Sequence, residues 1–183
     1  MYILVTHNTI THIKNKLGIN PQDIQITIRD IQPDDNLQVS QLIRQVMSAY
    51  NCVGDGYSIQ DPEVEDMYTS YQGKRSRYYV LAYQDKIYGG AGVAPLKGGA
   101  ENTCELKKMY YYPEIRGKGY GKQVLTLILE DARRLGYTQC YLETVDRMEA
   151  AAQLYQKFGF TRLEKCLGNT GHSGCDSYYI LDL

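Results

Sequence analysis

The stretch "CELKKMYYYPEIRGKGYGK" (residues 104–122) decides how the rest of the chain is read. Its first half is a β-rich run ended by Pro113. Its last seven residues hold three glycines and three cations, and beyond them Val124, Leu125, Ile128, Leu129, Ala132 and Leu135 make an apolar stripe at helical spacing, stopped by Gly136. A strand, a bare turn and a helix start in that order build an anion site, because the first helical amides lack partners and the helix dipole points its positive end at the turn. Gly117, Gly119 and Gly121 let a ligand approach the main chain closely, while Arg116, Lys118 and Lys122 add charge from the rim.

Spacing removes two familiar uses of such a loop. A Walker loop ending at Gly121-Lys122 needs glycine where Arg116 stands and a hydroxyl where Gln123 stands. The dinucleotide fingerprint, begun at Gly117 or Gly119, needs glycine at Lys122 or Val124. Nucleotide hydrolysis and hydride transfer both lose their best support.

The whole chain sets the other limits. With 183 residues, 43% hydrophobic and 22% charged, it is long enough to bury one core. Twenty Lys and Arg against 21 Asp and Glu leave a formal charge of −1, so no global field favours nucleic acid or an anionic membrane, and there is no Trp or extended basic stripe for stacking on bases. The five cysteines are scattered and lack CxxC pairs, the usage of a reducing compartment, and no apolar run is long enough to span a bilayer. A cytoplasmic protein is the expectation, with no nucleic acid or membrane partner.

Residues 1–23 read as an N-terminal extension of unknown role, and residues 24–183 as one domain. "IQITIRDI" alternates over Ile24, Ile26 and Ile28 as a half-buried strand does, and Asp34 or Asp35 is placed to cap the helix that follows, whose face is Val39, Leu42, Ile43, Val46, Met47 and Tyr50. Residues 51–74 read as a loop with a short helix near 62–71; residues 78–83 and 87–93 form a hairpin through Gln84-Asp85-Lys86. After Gly136 come a strand (138–145), a helix (148–158) ended by Gly159, and two last strands in "FTRLEKC" and "SYYILDL". This pattern predicts an α/β protein with a mixed sheet covered by helices.

The order Arg116-x-x-Gly119-x-Gly121 resembles the R/Q-x-x-G-x-G/A motif of the GNAT superfamily of acetyl-CoA-dependent N-acetyltransferases, and "AAQLYQKFGF" (residues 151–160) is similar to that family's later A-x-x-L-Y-x-K-x-G-F helix. The resemblance runs from about residue 24 to residue 183, and the tail "GNTGHSGC" resembles that of uncharacterised bacterial-type members. It implies the family's mixed, mostly antiparallel central sheet flanked by helices. It implies acetyl-CoA as co-substrate, with no metal and no covalent enzyme intermediate. The acceptor is then a small-molecule or peptide amine, and a homodimer is left open.

By the same resemblance, the amides of residues 116–122 (Arg116, Gly117, Lys118, Gly119, Tyr120, Gly121, Lys122) hold the pyrophosphate, and main-chain groups of Met109 and Tyr111 pair with the pantetheine arm and thioester. The three tyrosines 110–112 can simply be strand residues facing core and solvent in turn. Acetyl transfer needs a deprotonated amine, a stabilised oxyanion and a proton for the departing thiolate. Glu105 is the candidate base, its alternative being a strand carboxylate that faces solvent or pairs with Lys107 on the same strand face; Tyr155 is the candidate acid, its alternative being packing in the stripe of its helix. Where many relatives have asparagine, this chain has Asp146 and Arg147.

Three features remain. Asp55, Asp61, Glu63, Glu65 and Asp66 make the loop on the acceptor side acidic, favouring a cationic amine, with Asp61 a candidate substrate residue. His172, in a glycine-held turn beside the cleft, contacts substrate or assists proton transfer in this reading. Cys166, His172 and Cys175 give three metal ligands at most, and a Cys175–His172 nucleophile lacks an orienting group. The competing function is a non-catalytic acyl-CoA-binding sensor or protein-interaction module.

Overall fold

The computed structural model describes residues 25–183; the expected extension, and Ile24 of the first strand, lie outside them. Among the described residues seven strands form one sheet: β1 (Thr27–Asp30), β2 (Arg77–Tyr83), β3 (Lys86–Pro95), β4 (Thr103–Tyr111), β5 (Gln139–Thr144), β6 (Thr161–Leu163) and β7 (Ser177–Asp182), in the order β1-β2-β3-β4-β5-β7-β6. Every neighbouring pair is antiparallel except β4 and β5. The mixed, mostly antiparallel sheet expected from the sequence is therefore present.

Alternation along the strands splits the core in two. Leu81, Val93, Cys104, Leu106 and Leu142 face α3 (Tyr120–Arg134) and α4 (Glu149–Lys157), whose Val124, Leu125, Ile128 and Tyr155 complete that layer. Tyr78, Val80 and Ile87 face the other way, onto α1 (Asn36–Ala49), with Val39, Leu42, Ile43, Val46 and Met47 buried as its period predicts, and onto the one-turn α2 (Met67–Ser70). Each such aliphatic contributes about 1.5–3 kcal/mol of burial, enough to fix which helix face turns inward. One expectation is corrected: Asp35 does not cap α1. Its carboxylate takes a two-pronged contact from Arg29 at 2.6 and 2.9 Å and the Gln32 amide at 2.8 Å, which ties β1 to the turn before the helix.

Two irregularities of β4 shape the cleft. Pairing with β5 runs only from Thr103↔Gln139 to Glu105↔Tyr141, although both strands continue, so they part beyond Glu105. Against β3, the register jumps between Gly90↔Tyr110 and Gly92↔Lys107, a bulge centred on Lys108, whose φ is 52°. One extra residue reverses the side of everything after it. Lys107 and Lys108 both turn to the α1 side, where each meets Glu63, while Met109 and Tyr111 pack towards α3 and α4 and Tyr110 and Tyr112 towards α1. The tyrosines thus alternate between two layers rather than between core and solvent. Unbulged, β4 would point Lys108 into the apolar layer. Among the described residues no helix is long and apolar enough to cross a membrane.

Candidate active site

The glycine loop stands where β4 ends. Gly119, at φ 85°, precedes the first turn of α3, and the Gln123 amide donates to the Gly119 carbonyl at 3.2 Å. The helix-start amides of Gly121 and Lys122 make no main-chain bond one turn back among the described residues. Gly117 and Gly119 both have positive φ and open space where a side chain would stand, so conformation requires glycine and the front of the loop is clear. Lys118 and Lys122 are exposed beside it. Arg116 is used differently: its Nε donates to the Tyr111 carbonyl at 2.8 Å and its guanidinium lies 5.6 Å from the Tyr50 ring centre, so it braces the strand end against α1.

From this loop a cavity of about 190 Å³ runs between β4 and α4, lined by Met109, Tyr111, Gly121, Leu154 and Tyr155 among others. It is mostly apolar, and the Tyr111 hydroxyl is buried there without a hydrogen-bond partner among the described residues. Tyr155 is 5% exposed and donates its hydroxyl to the Met109 sulfur at 3.8 Å. Burial pushes its phenol well above the usual range, so it holds its proton. Met109, Tyr110, Met148, Ala151 and Tyr155 also line a narrower cavity of about 50 Å³, which reaches Lys108, Glu143 and Cys175.

Beyond lies a polar cavity of about 130 Å³ containing Asp61, Glu63, Lys97, Glu105, Thr170 and His172. His172 donates through Nε2 to Asp61 (3.0 Å) and through Nδ1 to Glu143 (3.2 Å). Burial would lower its pKa, but the two carboxylates outweigh burial and raise it to about 9, an imidazolium at neutral pH. Glu143 also accepts from Tyr141 (2.7 Å) and Thr170 (2.9 Å). Lys108, its side chain 1% exposed, pairs with Asp61 and with Glu63 (2.8 Å), and Lys107 meets Glu63 at 2.9 Å. Asp61 is accordingly drawn down to about 2 against the upward push of burial.

Glu105 is 4% exposed, and its carboxylate has no hydrogen bond or ion pair with any described residue. Lys107 is occupied by Glu63, so the strand-face ion pair is not made. Burial raises the Glu105 carboxyl, against the pull of Lys107, His172 and Lys108. The Tyr71 hydroxyl, also buried and partnerless, feels the same carboxylates.

The candidates from the sequence therefore fall in two groups. Arg116, Gly117, Gly121, Met109, Tyr111 and Tyr155 line the apolar cavity, and Lys118, Gly119, Tyr120 and Lys122 belong to the turn beside it; Glu105, Asp61 and His172 line the polar one; Glu143 and Lys108 line the narrow cavity between. The "GNTGHSGC" turn is docked: the Asn169 amide donates to Lys97 (2.7 Å) and the Gly174 amide to Gly56 (2.9 Å). Cys175 does not meet the His172 ring; its amide bonds the His172 carbonyl at 3.0 Å, and burial holds its thiol up at about 12. The free acidity expected of Asp61, Glu63, Glu65 and Asp66 is also corrected. Asp61 and Glu63 are neutralised as above, Glu65 pairs with Arg44, and Asp66 caps α2 and binds Asn36. Sequence reading missed Lys108 and Glu143 and gave no role to Arg147, which reaches the carbonyls of Tyr50 and Asn51 and the Tyr57 hydroxyl, fastening the acceptor-side loop to the start of α4.

Residues 42–160 match the acetyltransferase (GNAT) family. The uncharacterised N-acetyltransferase YjgM of Escherichia coli (strain K12) is 38% identical over 157 residues, which is 85% of this chain and 94% of that protein. Human N-acetyltransferase 8 is 28% identical over 103 residues, 55% of this chain and 45% of that longer protein. Among solved structures, a GNAT-family acetyltransferase from Staphylococcus aureus Mu50 superposes with a TM-score of 0.74 at 19% identity, over 86% of this chain and 98% of that one. The acetyltransferase YncA of Salmonella typhimurium, solved with acetyl-CoA, gives a TM-score of 0.67 at 18% identity, over 86% and 93%. With the parted strands, the glycine turn and the α4 tyrosine in place, the chain belongs to the GNAT family of acetyltransferases.

Proposed function

We propose that the protein transfers the acetyl group of acetyl-CoA to a primary amine by direct attack within a ternary complex. The observation that carries this reading is one continuous path: the open turn at Gly117 and the helix-start amides of Gly121 and Lys122 lead onto the apolar cavity lined by Tyr155. The residues fit the group. Open space before Gly117 and Gly119 suits a pyrophosphate, exposed Lys118 and Lys122 suit its charge, and the apolar walls with the partnerless Tyr111 hydroxyl suit a flexible arm carrying amides.

When bound, acetyl-CoA supplies an activated acyl group on sulfur. The chain supplies the rest. The loop amides and the parted edge of β4 orient the donor; the dry cavity walls exclude water. Glu105, short of a partner and with its carboxyl raised, takes the proton from an ammonium entering the polar cavity. Tyr155 has its hydroxyl against a thioether sulfur, a weak acceptor it gives up readily, and delivers a proton to the leaving sulfur.

Initial rates with both substrates varied test this. Intersecting double-reciprocal lines are expected of a ternary complex; parallel lines would mean an acetylated protein and overturn direct attack. CoA binding without thiol release from any amine would favour a sensor.

A further inference from the structure

All but two of the charged groups around the polar cavity are matched. His172 spans Asp61 and Glu143, Lys108 spans Asp61 and Glu63, and Lys107 reaches Glu63. Left over are Glu105, buried without a partner, and Lys97, whose exposed ammonium has no partner among the described residues. Both line one cavity of about 130 Å³. A small polar molecule held in that cavity would be lined by both residues.

Neither leftover is an accident of a loose surface. Glu105 is fixed in the β4 ladder, opposite Ala94 on one side and Tyr141 on the other. The Lys97 main chain is held by the amide of Asn169 at 2.7 Å, with Gly168 so close that a Cβ there would stand 2.5 Å from the Lys97 carbonyl oxygen. The glycine-rich turn before His172 therefore sets the position of Lys97 over the cavity.

We propose that the acceptor is a small amino acid, its ammonium on Glu105 and its carboxylate on Lys97. This rests on the acetyltransferase reading above. A zwitterion meets the two unmatched charges one for one. A polyamine brings further cations into walls whose carboxylates are already paired, and each would have to displace Lys107, Lys108 or His172. A plain monoamine satisfies Glu105 but leaves Lys97 unused. In the reaction the ammonium gives one proton to Glu105, the freed nitrogen bonds to the acetyl carbon, the carbon–sulfur bond breaks, and the electron pair leaves on sulfur, which takes the proton of Tyr155. The second amine proton is lost as the amide forms and restores Tyr155 through solvent; the products are the N-acetylamino acid and free CoA, with one proton released.

The test sets L-alanine, L-serine and L-threonine against their decarboxylated counterparts ethylamine, ethanolamine and 1-amino-2-propanol, with putrescine as the dication. Each is titrated calorimetrically into the full chain saturated with CoA, and each is assayed for thiol release with acetyl-CoA. The amino acids are expected to bind and to react with kcat/KM at least tenfold above their counterparts. Lys97→Ala should raise their KM about tenfold with kcat kept, and Lys97→Arg should restore most of it. Decarboxylated amines or putrescine reacting as well as the amino acids would overturn the acceptor class and leave acetyl transfer standing. Amino acids that bind in a Lys97-dependent way without thiol release would uphold the site and overturn the transfer. Absence of binding and turnover with the amino acids overturns the proposal.

Discussion

The Tyr155 hydroxyl rests on the sulfur of Met109, 3.8 Å away, across the cleft that opens where β4 and β5 part. The contact links the two halves of the proposed chemistry, since Met109 follows the bulge of β4 and Tyr155 belongs to α4. Removing only the hydroxyl leaves the ring packed against Phe160 and Tyr179, whose centroids lie 5.8 and 6.2 Å away. Tyr155→Phe should therefore keep its melting temperature and its affinity for CoA while kcat falls by about 10²-fold, the usual worth of a positioned acid. Unchanged kcat would remove Tyr155 from the proton path.

Gly119 holds φ 85° with nothing in front of it. Gly119→Ala forces a side chain into the left-handed region at a cost of about 1–2 kcal/mol and puts a methyl where the ligand should approach. CoA affinity, read by calorimetry, should drop about tenfold or more, whereas Gly136→Ala, at the far end of α3 with a similar φ of 82°, should lower stability alone. Equal effects on CoA affinity would move the donor site away from this loop.

Lys108 carries two burdens, a backbone in the left-handed region and a buried ammonium between Asp61 and Glu63. Lys108→Met leaves both carboxylates short of their closest cation, and breaking a buried pair costs about 3 kcal/mol. Urea denaturation should show that loss; a loss under about 1 kcal/mol would mean the pair is solvated.

The His172 imidazole is raised from 6.5 to about 9 in the folded protein. A raised pKa contributes stability that is complete below the unfolded value and disappears as pH climbs through the folded one, so the loss falls between about pH 6.5 and 9. Asp61, drawn from 3.8 to about 2, acts in the opposite sense: its contribution is present above 3.8 and goes as pH falls through about 2. Melting temperature should hold from pH 5 to 6.5 and then decline by the equivalent of roughly 2 kcal/mol towards pH 9, with the decline flattened in His172→Gln. A wild-type curve as flat as the variant's would contradict the imidazolium.

How much of this was readable follows from the range of each interaction. Local patterns carried the helices, because the stripes of α1 and α3 and the stops at Gly136 and Gly159 are properties of neighbouring residues. The glycine turn was equally local. The bulge was not: nothing in "LKKMYYY" marks Lys108 as the residue to leave the ladder, and the reason lies in Asp61 and Glu63, some forty-five residues earlier in the chain. The same holds for His172, which meets Asp61 across 111 residues and Glu143 across 29. An acidic loop reads as solvated or substrate-binding until the cations that neutralise it are seen.

The most direct test of acetyl transfer is to count products. With acetyl-CoA and an amine panel that includes L-serine, thiol release measured by titration should equal, mole for mole, the N-acetylated amine measured by mass spectrometry, and both should fall together by about 10²-fold in Tyr155→Phe while CoA still binds. CoA bound tightly by the wild-type protein, with no acetylated amine above the no-protein control, would contradict the account.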